Sequence, residues 1–226
     1  MADRQIVAIG GWPWGEDAAV RALQGFVLGL ARGTRVGFVP TAGGDDPSAI
    51  VEFYERWRGL GELTHLGFFP WPDDDLRGLA LGQDVLVVGG GNTANMLAIW
   101  RLHGVEDALR KAHANGTILT GWSAGCICWF EAGITDSFTP ELGPLRDGLK
   151  LLAGSACPHY DSEERRRPVY QREVANGLLA GIALEDAVAA RYDDERLVEI
   201  VTARPGGRAF RVDRTGERAL DVRTIG

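Results

Sequence analysis

The sequence is poor in cysteine and contains no long hydrophobic run. Its three Cys residues, at positions 126, 128 and 157, are too few and too odd in number for a disulfide framework. No apolar run approaches the roughly 18 residues of a membrane span, so a helical membrane protein is not expected. Residues 1–6 enter a strand-like run without the basic-then-apolar pattern of a signal peptide. These absences predict a cytoplasmic protein.

Positive charge is also scarce. The 226 residues include 24 Lys and Arg, only two of them Lys, against 31 Asp and Glu, which gives a net charge of −7. An acidic surface repels nucleic acid and anionic membranes, so we expect neither as a partner. Apolar residues make up 45% of the chain, close to the globular norm of about 45–50%. No linker is visible, and the sequence predicts a single domain over residues 1–226.

Short apolar runs alternate with longer amphipathic stretches. Each run is stopped by Gly or Pro, which is typical of parallel strands buried on both faces. The predicted strands cover residues 6–9, 35–39, 84–88 and 117–120. The stretches with helical spacing cover residues 17–30, 47–60, 93–103 and 105–114. This alternation predicts an α/β fold with a mostly parallel central sheet and helices on both faces.

The pattern changes near the C-terminus. Three short strand-like runs are separated by turns and cover residues 197–201, 208–212 and 218–222. Because the connections are short, we expect a C-terminal antiparallel meander attached to the same domain.

The most informative segment is Gly121-Trp122-Ser123-Ala124-Gly125, a Gly-x-Ser-x-Gly pattern after a predicted strand and before a helix-compatible stretch. A nucleophile on such a sharp turn projects its hydroxyl at the carboxyl end of the sheet, and small neighbours avoid clashes there. The next backbone N–H, that of Ala124, can then face a developing oxyanion. A glycine-rich turn with a capping serine is the alternative, but the strand-turn-helix context favours Ser123 as a nucleophile.

A serine nucleophile needs a base, and the chain has four His. His65 lies in a strand-like run, and His103 and His113 lie toward the ends of helical stretches, where a solvated or helix-terminal role is common. His159 lies in a Pro-containing polar loop downstream of the serine, which makes it the preferred base. We expect its ring to come within hydrogen-bond reach of Ser123.

A carboxylate should orient the imidazole. Spacing alone does not choose among the four acidic candidates, which are Asp136, Asp161, Glu185 and Asp186.

A second glycine signal, Gly89-Gly90-Gly91-Asn92-Thr93, follows a predicted strand. Consecutive glycines let a backbone approach a ligand and expose N–H donors. The segment lacks the Gly-x-Gly-x-x-Gly spacing of a dinucleotide site and the Gly-Lys-Ser/Thr of a P-loop. The turn at residues 10–15 fails as a phosphate loop as well.

In these motifs the chain resembles the peptidase E-like family of aspartyl dipeptidases and cyanophycinases. The resemblance is carried by the glycine turn at residues 89–93, the serine elbow at 121–125 and Pro158-His159, with support from segments 38–42 and 135–138. It spans about residues 5–192. It implies the sheet-and-helix architecture of class I glutamine amidotransferases, a three-layer sandwich, with Ser123 in place of their elbow Cys.

The resemblance implies roles for individual residues. Ser123 would be the nucleophile and His159 the general base, with an oxyanion hole formed by the backbone N–H groups of Gly91 and Ala124. Asn92 would help to hold the substrate. The resemblance allows two interpretations of the third triad member, Asp136 or Asp186. At the position of Asp186, related enzymes usually have Glu.

The resemblance also bears on the substrate. Aspartyl dipeptidases hold a side-chain carboxylate, which suits the planar fork of an arginine. Arg167, in the run after His159, falls best at that position, and a solvated charge cluster is the alternative interpretation. The expected function is a serine peptidase acting on small peptides, foremost dipeptides with N-terminal Asp.

Two other functions stay open at this point. One is a cyanophycinase-like β-aspartyl peptide hydrolase, which would need an acidic patch for arginine. The other is a non-catalytic ligand-binding module on the same scaffold. We expect no cofactor and no metal, because no two His lie at i, i+4 and Cys126 and Cys128 lack a second ligand pair. The resemblance allows a homodimer.

Overall fold

The computed structural model describes residues 4–226. Residues 1–3, which belong to the segment used above to argue against a signal peptide, lie outside the described residues. The described strands are β1 (Gln5–Ile9), β2 (Arg35–Val39), β3 (Glu62–His65), β4 (Val85–Val88), β5 (Ile118–Trp122), β6 (Phe130–Thr135), β7 (Gly143–Leu145), β8 (Leu152–Cys157), β9 (Gly181–Leu184), β10 (Val188–Asp193), β11 (Arg196–Thr202), β12 (Ala209–Asp213), β13 (Gly216–Leu220) and β14 (Arg223–Thr224). The described α-helices are α1 (Asp17–Leu28), α2 (Pro47–Arg56), α3 (Leu76–Leu81), α4 (Thr93–Leu102), α5 (Val105–Ala114), α6 (Ala124–Ile127) and α7 (Arg166–Ala175).

The larger sheet has eight strands in the order β14-β11-β10-β1-β5-β4-β2-β3. The five neighbours from β1 to β3 run parallel. All five residues of β1 and all four of β4 are buried, as parallel strands covered on both faces require. The predicted mostly parallel α/β sheet is therefore confirmed, and the four predicted strands agree with the structure to within two residues at their ends.

The predicted helices are also present, and the structure shortens three of them. Helix α2 begins as the sequence indicates, because Asp46 accepts a hydrogen bond of 2.8 Å from the N–H of Ser48 and Pro47 occupies the first turn. It ends at Arg56, four residues earlier than predicted. The chain then bends before Gly59, whose φ of +78° lies in the left-handed region.

A second sheet has six strands in the order β13-β12-β9-β8-β6-β7. Its central strands β6, β8 and β9 run parallel. The two sheets meet where β9 leads into β10: Gly11 after β1 bridges to Asp186, and the N–H of Gly10 donates to the carbonyl of Val188 at 2.9 Å. This junction brings the carboxyl ends of strands from both sheets together.

The predicted C-terminal meander is divided between these two sheets. Strand β11 pairs with β10 and β14 in the larger sheet, whereas β12 and β13 form an antiparallel hairpin on β9 in the smaller one. The turn at residues 203–208 carries the chain from one sheet to the other. The three strands exist as predicted, but β11 and β12 do not pair, because β11 lies beside β10 in one sheet and β12 lies beside β9 in the other.

Among the helices of residues 4–226, none has both the length and the apolar composition needed to cross a membrane.

Candidate active site

Ser123 lies on a sharp turn between strand β5 and the short helix α6. Its backbone has φ +56° and ψ −113°, a conformation that residues other than Gly rarely adopt. Its carbonyl accepts the N–H groups of Cys126 and Ile127 at 2.9 and 3.0 Å, which starts the helix immediately. The hydroxyl-bearing residue is half-buried. This strained strand-to-helix turn is the geometry that the Gly-x-Ser-x-Gly pattern predicts.

The two glycines of the pattern are required by close packing against the neighbouring strand β4. A Cβ atom at Gly121 or at Gly125 would overlap the carbonyl oxygen of Val88. The elbow can therefore sit against β4 only with glycine at both positions. In the glycine turn that follows β4, a Cβ atom at Gly90 would lie 3.2 Å from Cβ of Ser123, so this turn is in contact with the elbow.

His159 and Asp186 form the central polar contact of this region. Atom Nδ1 of His159 lies 2.8 Å from Oδ1 of Asp186, and both side chains are about one-fifth exposed. His159 follows β8 and Asp186 follows β9, two adjacent parallel strands whose carboxyl ends meet at the same edge. A carboxylate at Nδ1 favours the tautomer that carries its proton there, which leaves Nε2 as the acceptor.

The surroundings of Asp186 favour its charged form. Burial opposes ionisation, but hydrogen bonds from His159 and Ser162 and the charge of Arg204 outweigh it and lower the pKa of the Asp186 carboxyl below its usual value. The backbone of Asp186 is fixed as well, because its N–H donates to Asp161 at 2.8 Å and its carbonyl accepts from Arg204 at 2.9 Å. Asp186 is thus an ionised, positioned partner of His159 near neutral pH.

Gly11 packs directly against this pair. A Cβ atom at this position would overlap the carboxylate of Asp186 and lie 2.8 Å from Nδ1 of His159. The carbonyl of Gly11 accepts the N–H of Ala187 at 2.9 Å. The sequence pattern did not indicate this packing role, because Gly11 belongs to a turn that resembles an incomplete phosphate loop. The pair of glycines ending β1 was the available signal.

Among residues 4–226, two residues with unengaged backbone N–H groups lie near Ser123: Gly91, which lines the same pocket, and Ala124, which follows Ser123 in the chain. Those of Gly91 and Ala124 donate no hydrogen bond within the part of the chain that the structure describes. Gly91 has φ +135°, and a Cβ atom there would overlap the carbonyl of Ala42. Only glycine fits this turn, and it leaves the N–H free. The two predicted oxyanion-hole residues therefore have unengaged donors at the sheet edge.

The expected hydrogen bond between Ser123 and His159 is not formed. Among residues 4–226, the Ser123 hydroxyl and the His159 ring make no hydrogen bond with each other, although the junction of the two sheets brings both to one edge. His159 has φ +54° and its ring is directed at Asp186. The expectation that the two side chains come within reach, with a looser contact in the absence of substrate, stays a prediction.

Asp136 lies in a polar pocket together with Ser123, Gly91 and Asn92. It is exposed and has no hydrogen bond with His159, so the structure brings Asp186 and not Asp136 to the imidazole. Its flanking residue Ser137 is fastened to helix α4, accepting the Asn92 side-chain amide at 3.0 Å on its carbonyl. These contacts hold Asp136 beside the serine.

Asn92 is largely committed to this local structure. Its Oδ1 caps helix α4 by accepting the N–H of Asn95 at 2.9 Å, and its Nδ2 donates to Ser137. Asn92 borders the pocket, but its carbonyl oxygen and one amide hydrogen already have partners within the protein.

Arg167 lies outside the Ser123 pocket. Its Nε donates to Glu217 at 3.1 Å and its terminal nitrogen also pairs with that carboxylate. Its guanidinium stacks 5.4 Å from the ring centre of Tyr160 and 4.9 Å from that of Phe210. The guanidinium of Arg167 is thus paired with Glu217 and stacked on two aromatic rings. This position does not match the sequence-based assignment of Arg167 as a residue that binds substrate carboxylates.

The arginine beside Ser123 is the preceding residue, Arg166. It is buried, and it pairs with Glu163 through Nε at 2.7 Å and through NH2 at 3.3 Å. Its NH1 donates to the carbonyl of Ile134 at 2.8 Å. The helical start of α7 turns successive side chains about 100° apart, so Arg166 and Arg167 point to different surroundings. Sequence position alone could not separate them.

The other histidines have different partners. Nδ1 of His65 forms a hydrogen bond of 3.0 Å with the Tyr54 hydroxyl. His103 caps the C-terminus of helix α4, and its ring packs edge-on against Phe68. His113 is buried, and burial together with the charge of Arg4 lowers its pKa to about 4.

The remaining acidic candidates and the cysteines also have other partners. Glu185 is paired with Arg208 at 2.8 Å, and Asp161 supports Asp186 as described. The thiols of Cys126, Cys128 and Cys157 are buried, which raises their pKa values and keeps them protonated at neutral pH. Among residues 4–226 no group of three or more His, Cys, Asp or Glu is arranged to hold a metal ion.

Comparisons with known proteins find peptidases as relatives of this chain. The model of peptidase family S51 matches residues 10–200. The chain is 39% identical over 215 residues to the uncharacterized peptidase YgaJ of Bacillus subtilis, covering 92% of each chain. It is 30% identical over 143 residues to peptidase E of Haemophilus influenzae, covering 62% of this chain and 64% of that protein.

Solved structures show the same fold. A peptidase from an acI-B1 Actinobacterium superposes with a TM-score of 0.67 at 15% identity, covering 97% of this chain and 95% of the other. A putative peptidase E protein of Listeria monocytogenes superposes with a TM-score of 0.64 at 19% identity, covering 87% and 98%. At these identities the likeness concerns the fold.

Proposed function

The chain belongs to peptidase family S51, and from this membership and its active-site geometry we propose that it is a serine-type dipeptidase acting through an acyl-enzyme on Ser123. The observation that carries the proposal is the hydrogen bond between His159 and Asp186 at the sheet edge that also bears the strained Ser123 turn. A nucleophile, an oriented base and free N–H donors at one edge are the parts that acyl transfer needs.

In this mechanism Ser123 Oγ attacks the carbonyl carbon of the scissile peptide bond and its proton moves to Nε2 of His159. The resulting oxyanion is stabilised by the N–H groups of Gly91 and Ala124. His159 then gives the proton to the leaving nitrogen as the C–N bond breaks, and the first product departs as an amine. Asp186 stays ionised throughout and stabilises the imidazolium.

Water completes the cycle. It attacks the acyl-enzyme while His159 takes its proton, and the proton returns to Ser123 as the ester bond breaks. The bond between Ser123 and His159 is not present in the structure, and contacts of this kind commonly tighten when the substrate is bound.

The proposed substrates are dipeptides, including the dipeptides with N-terminal Asp that the resemblance implies. The pocket beside Ser123 contains the carboxylates of Asp136 and Glu163 and the guanidinium of Arg166. The two carboxylates suit the N-terminal ammonium of a short peptide. An Asp side chain would have to be read by Arg166, which retains two N–H donors beyond those used by Glu163 and Ile134.

One observation favours a second candidate, a β-aspartyl-arginine hydrolase of the cyanophycinase type. Glu164 adjoins Asp136 and Glu163 in a neighbouring pocket, so three carboxylates lie together on one side of the serine. Such a group could pair with the guanidinium of a substrate arginine.

A dipeptide panel tests both proposals. We expect the protein to release free amine from α-linked dipeptides, and the Ser123→Ala variant to lose at least about a thousandfold in kcat. Turnover of β-Asp-Arg above that of Asp-Leu would favour the second candidate. Undiminished turnover by Ser123→Ala would refute the serine mechanism, and binding without turnover in the wild type would favour a ligand-binding module.

A further inference from the structure

A second pocket lies next to the serine elbow, on the side of Trp122. It has a volume of about 230 Å³, which is large enough to hold one aromatic side chain. Six aromatic residues provide most of its walls; they are Trp12, Trp14, Phe38, Phe53, Trp57 and Trp122. We call this the aromatic pocket.

The rings form a continuous wall. Trp12 and Trp122 have ring centres 4.8 Å apart, and Trp14 meets Trp122 edge-on at 6.1 Å. Phe38 stacks on Phe53 at 4.9 Å and lies nearly parallel to Trp122 at 6.2 Å. Trp14 is about half exposed, whereas Trp12 is buried. The pocket is therefore a rigid apolar cleft with Trp14 at its mouth.

Three segments of the proposed catalytic machinery each contribute a wall. Trp122 directly precedes Ser123, and Trp12 directly follows Gly11, which contacts His159 and Asp186. Gly90 directly precedes Gly91. A Cβ at Gly90 would lie 3.1 Å from the indole nitrogen of Trp122 and 3.2 Å from Cβ of Ser123, so this glycine separates the pocket from the serine.

The two charged residues that line the pocket, Arg56 and Glu52, cancel each other. Arg56 stacks 5.6 Å from the ring centre of Trp14. Its Nε pairs with Glu52 at 2.7 Å and its NH1 with Asp17 at 3.3 Å. The guanidinium is thereby neutralised, and it extends the stacking surface without attracting an anion. The pocket thus selects an uncharged apolar group.

We propose that the aromatic pocket binds the side chain of the residue that leaves with the amine, so that the enzyme prefers dipeptides with an aromatic C-terminal residue. The proposal rests on the proposed dipeptidase function. Under this proposal the two sides of Ser123 bind different parts of the dipeptide. The acidic side, with Asp136 and Glu163, receives the N-terminal ammonium, and the aromatic side receives the second residue.

The position of His159 supports this orientation. As general acid it must face the nitrogen of the leaving residue. Gly11 contacts the His159 ring and leads directly into Trp12. That contact is at Nδ1, two bonds from the proton donor Nε2, so the Trp12 wall of the aromatic pocket begins beside the ring that serves the leaving residue.

Matched substrates and variants test the proposal. For Ala-Phe and Ala-Ala, we expect the wild-type ratio of kcat/KM to exceed about tenfold in favour of Phe. Ala49→Trp places a ring into the pocket from helix α2 and should reduce that ratio at least about fivefold. Trp14→Ala, which removes a half-exposed wall, should also reduce it. Trp71→Ala is the control, because Trp71 is 82% exposed and lies outside the pocket.

A binding experiment separates this inference from the proposed function. Calorimetric titration of the Ser123→Ala protein with Ala-Phe should show binding that Ala49→Trp abolishes, and this result would support the aromatic pocket even if the wild type cleaved neither dipeptide. Equal kcat/KM for Ala-Phe and Ala-Ala in the wild type would overturn the inference and leave the dipeptidase proposal intact. Stronger binding of tetramethylammonium than of Ala-Phe would also overturn it, in favour of a cation site.

Discussion

His159 and Asp186 are joined by a 2.8 Å contact between Nδ1 and Oδ1 although 27 positions separate them in the chain. Helix α7 and strand β9 lie between them, and the pairing of β8 with β9 brings them back together. Of the two carboxylates that the sequence left open as partners of His159, Asp186 contacts the imidazole and Asp136 makes no hydrogen bond with it.

Asp186→Asn should therefore be far more damaging than Asp136→Asn. An amide at position 186 favours the wrong imidazole tautomer, and we expect kcat to fall about 10³–10⁴-fold with little change in KM. Asp136→Asn is the matched control and should lower kcat less than about tenfold. Steady-state kinetics on one dipeptide measures both, and a larger loss in the Asp136 variant would reverse the assignment.

Gly11→Ala should reproduce the loss caused by Asp186→Asn. A methyl group at position 11 overlaps the Asp186 carboxylate and must push it away from His159. Because both changes break the same contact, their effects should not add, and the double variant should lose no more than about threefold beyond Asp186→Asn alone. Fully additive losses would show that Gly11 acts elsewhere.

Ser123→Gly should stabilise the protein while removing its activity. The φ of +56° at this position costs a residue with a Cβ atom about 1–3 kcal/mol, and glycine avoids most of that cost. We expect the free energy of unfolding of Ser123→Gly to exceed that of Ser123→Ala by about 1 kcal/mol, measured by urea denaturation. A less stable glycine variant would contradict strain at the elbow.

Arg167→Ala should leave substrate preference unchanged. Its guanidinium is bound to Glu217 and stacked on Tyr160, so we expect the ratio of kcat/KM for Asp-Leu over Leu-Leu to stay within about twofold of wild type. Asp136→Asn should raise that ratio, because it removes a like charge from the pocket that receives the substrate. A selective loss on Asp-Leu in the Arg167 variant would restore the role predicted from sequence.

Acid should destabilise the protein through His113. Burial lowers its folded-state pKa to about 4 from 6.5, so the unfolded chain binds more protons between these values and stability falls as pH decreases through that window. Between pH 6.5 and pH 5 this corresponds to about 2 kcal/mol. His113→Gln should lose correspondingly less than wild type in urea denaturation at the two pH values; identical losses would contradict this cause.

The elements that could be predicted are those whose signals are local. The strands ending at Gly10 and Gly89 and the serine elbow are marked by residues within a few positions of the feature itself, and the structure has them where expected. The division of the C-terminal strands could not be predicted, because β11 and β12 are equally strand-like and their partners are set by packing with β10 and β9.

The site shows the same limit. His159 could be selected from its loop context, but its contact with Asp186 depends on sheet pairing. Arg166 lines the Ser123 pocket and Arg167 does not; the difference is one helical step of rotation, which spacing around His159 does not encode. Glu217, which occupies Arg167, lies 50 positions away, and nothing near it in the sequence indicates that partner.

The hydrogen bonds of Glu217 bear on how short the chain can be made while the surroundings of His159 are kept. Its carboxylate accepts the Tyr160 hydroxyl at 2.8 Å and the Gln171 amide at 2.7 Å in addition to Arg167, and Tyr160 is the neighbour of His159. The family model that matches this chain ends at residue 200, so this anchor belongs to a segment beyond the shared peptidase region. A protein shortened to the shared region would keep every proposed catalytic residue. It would lose the hydrogen bond to Glu217 that holds Tyr160, the residue next to His159. Constructing a minimal enzyme from this scaffold therefore means retaining the terminal hairpin.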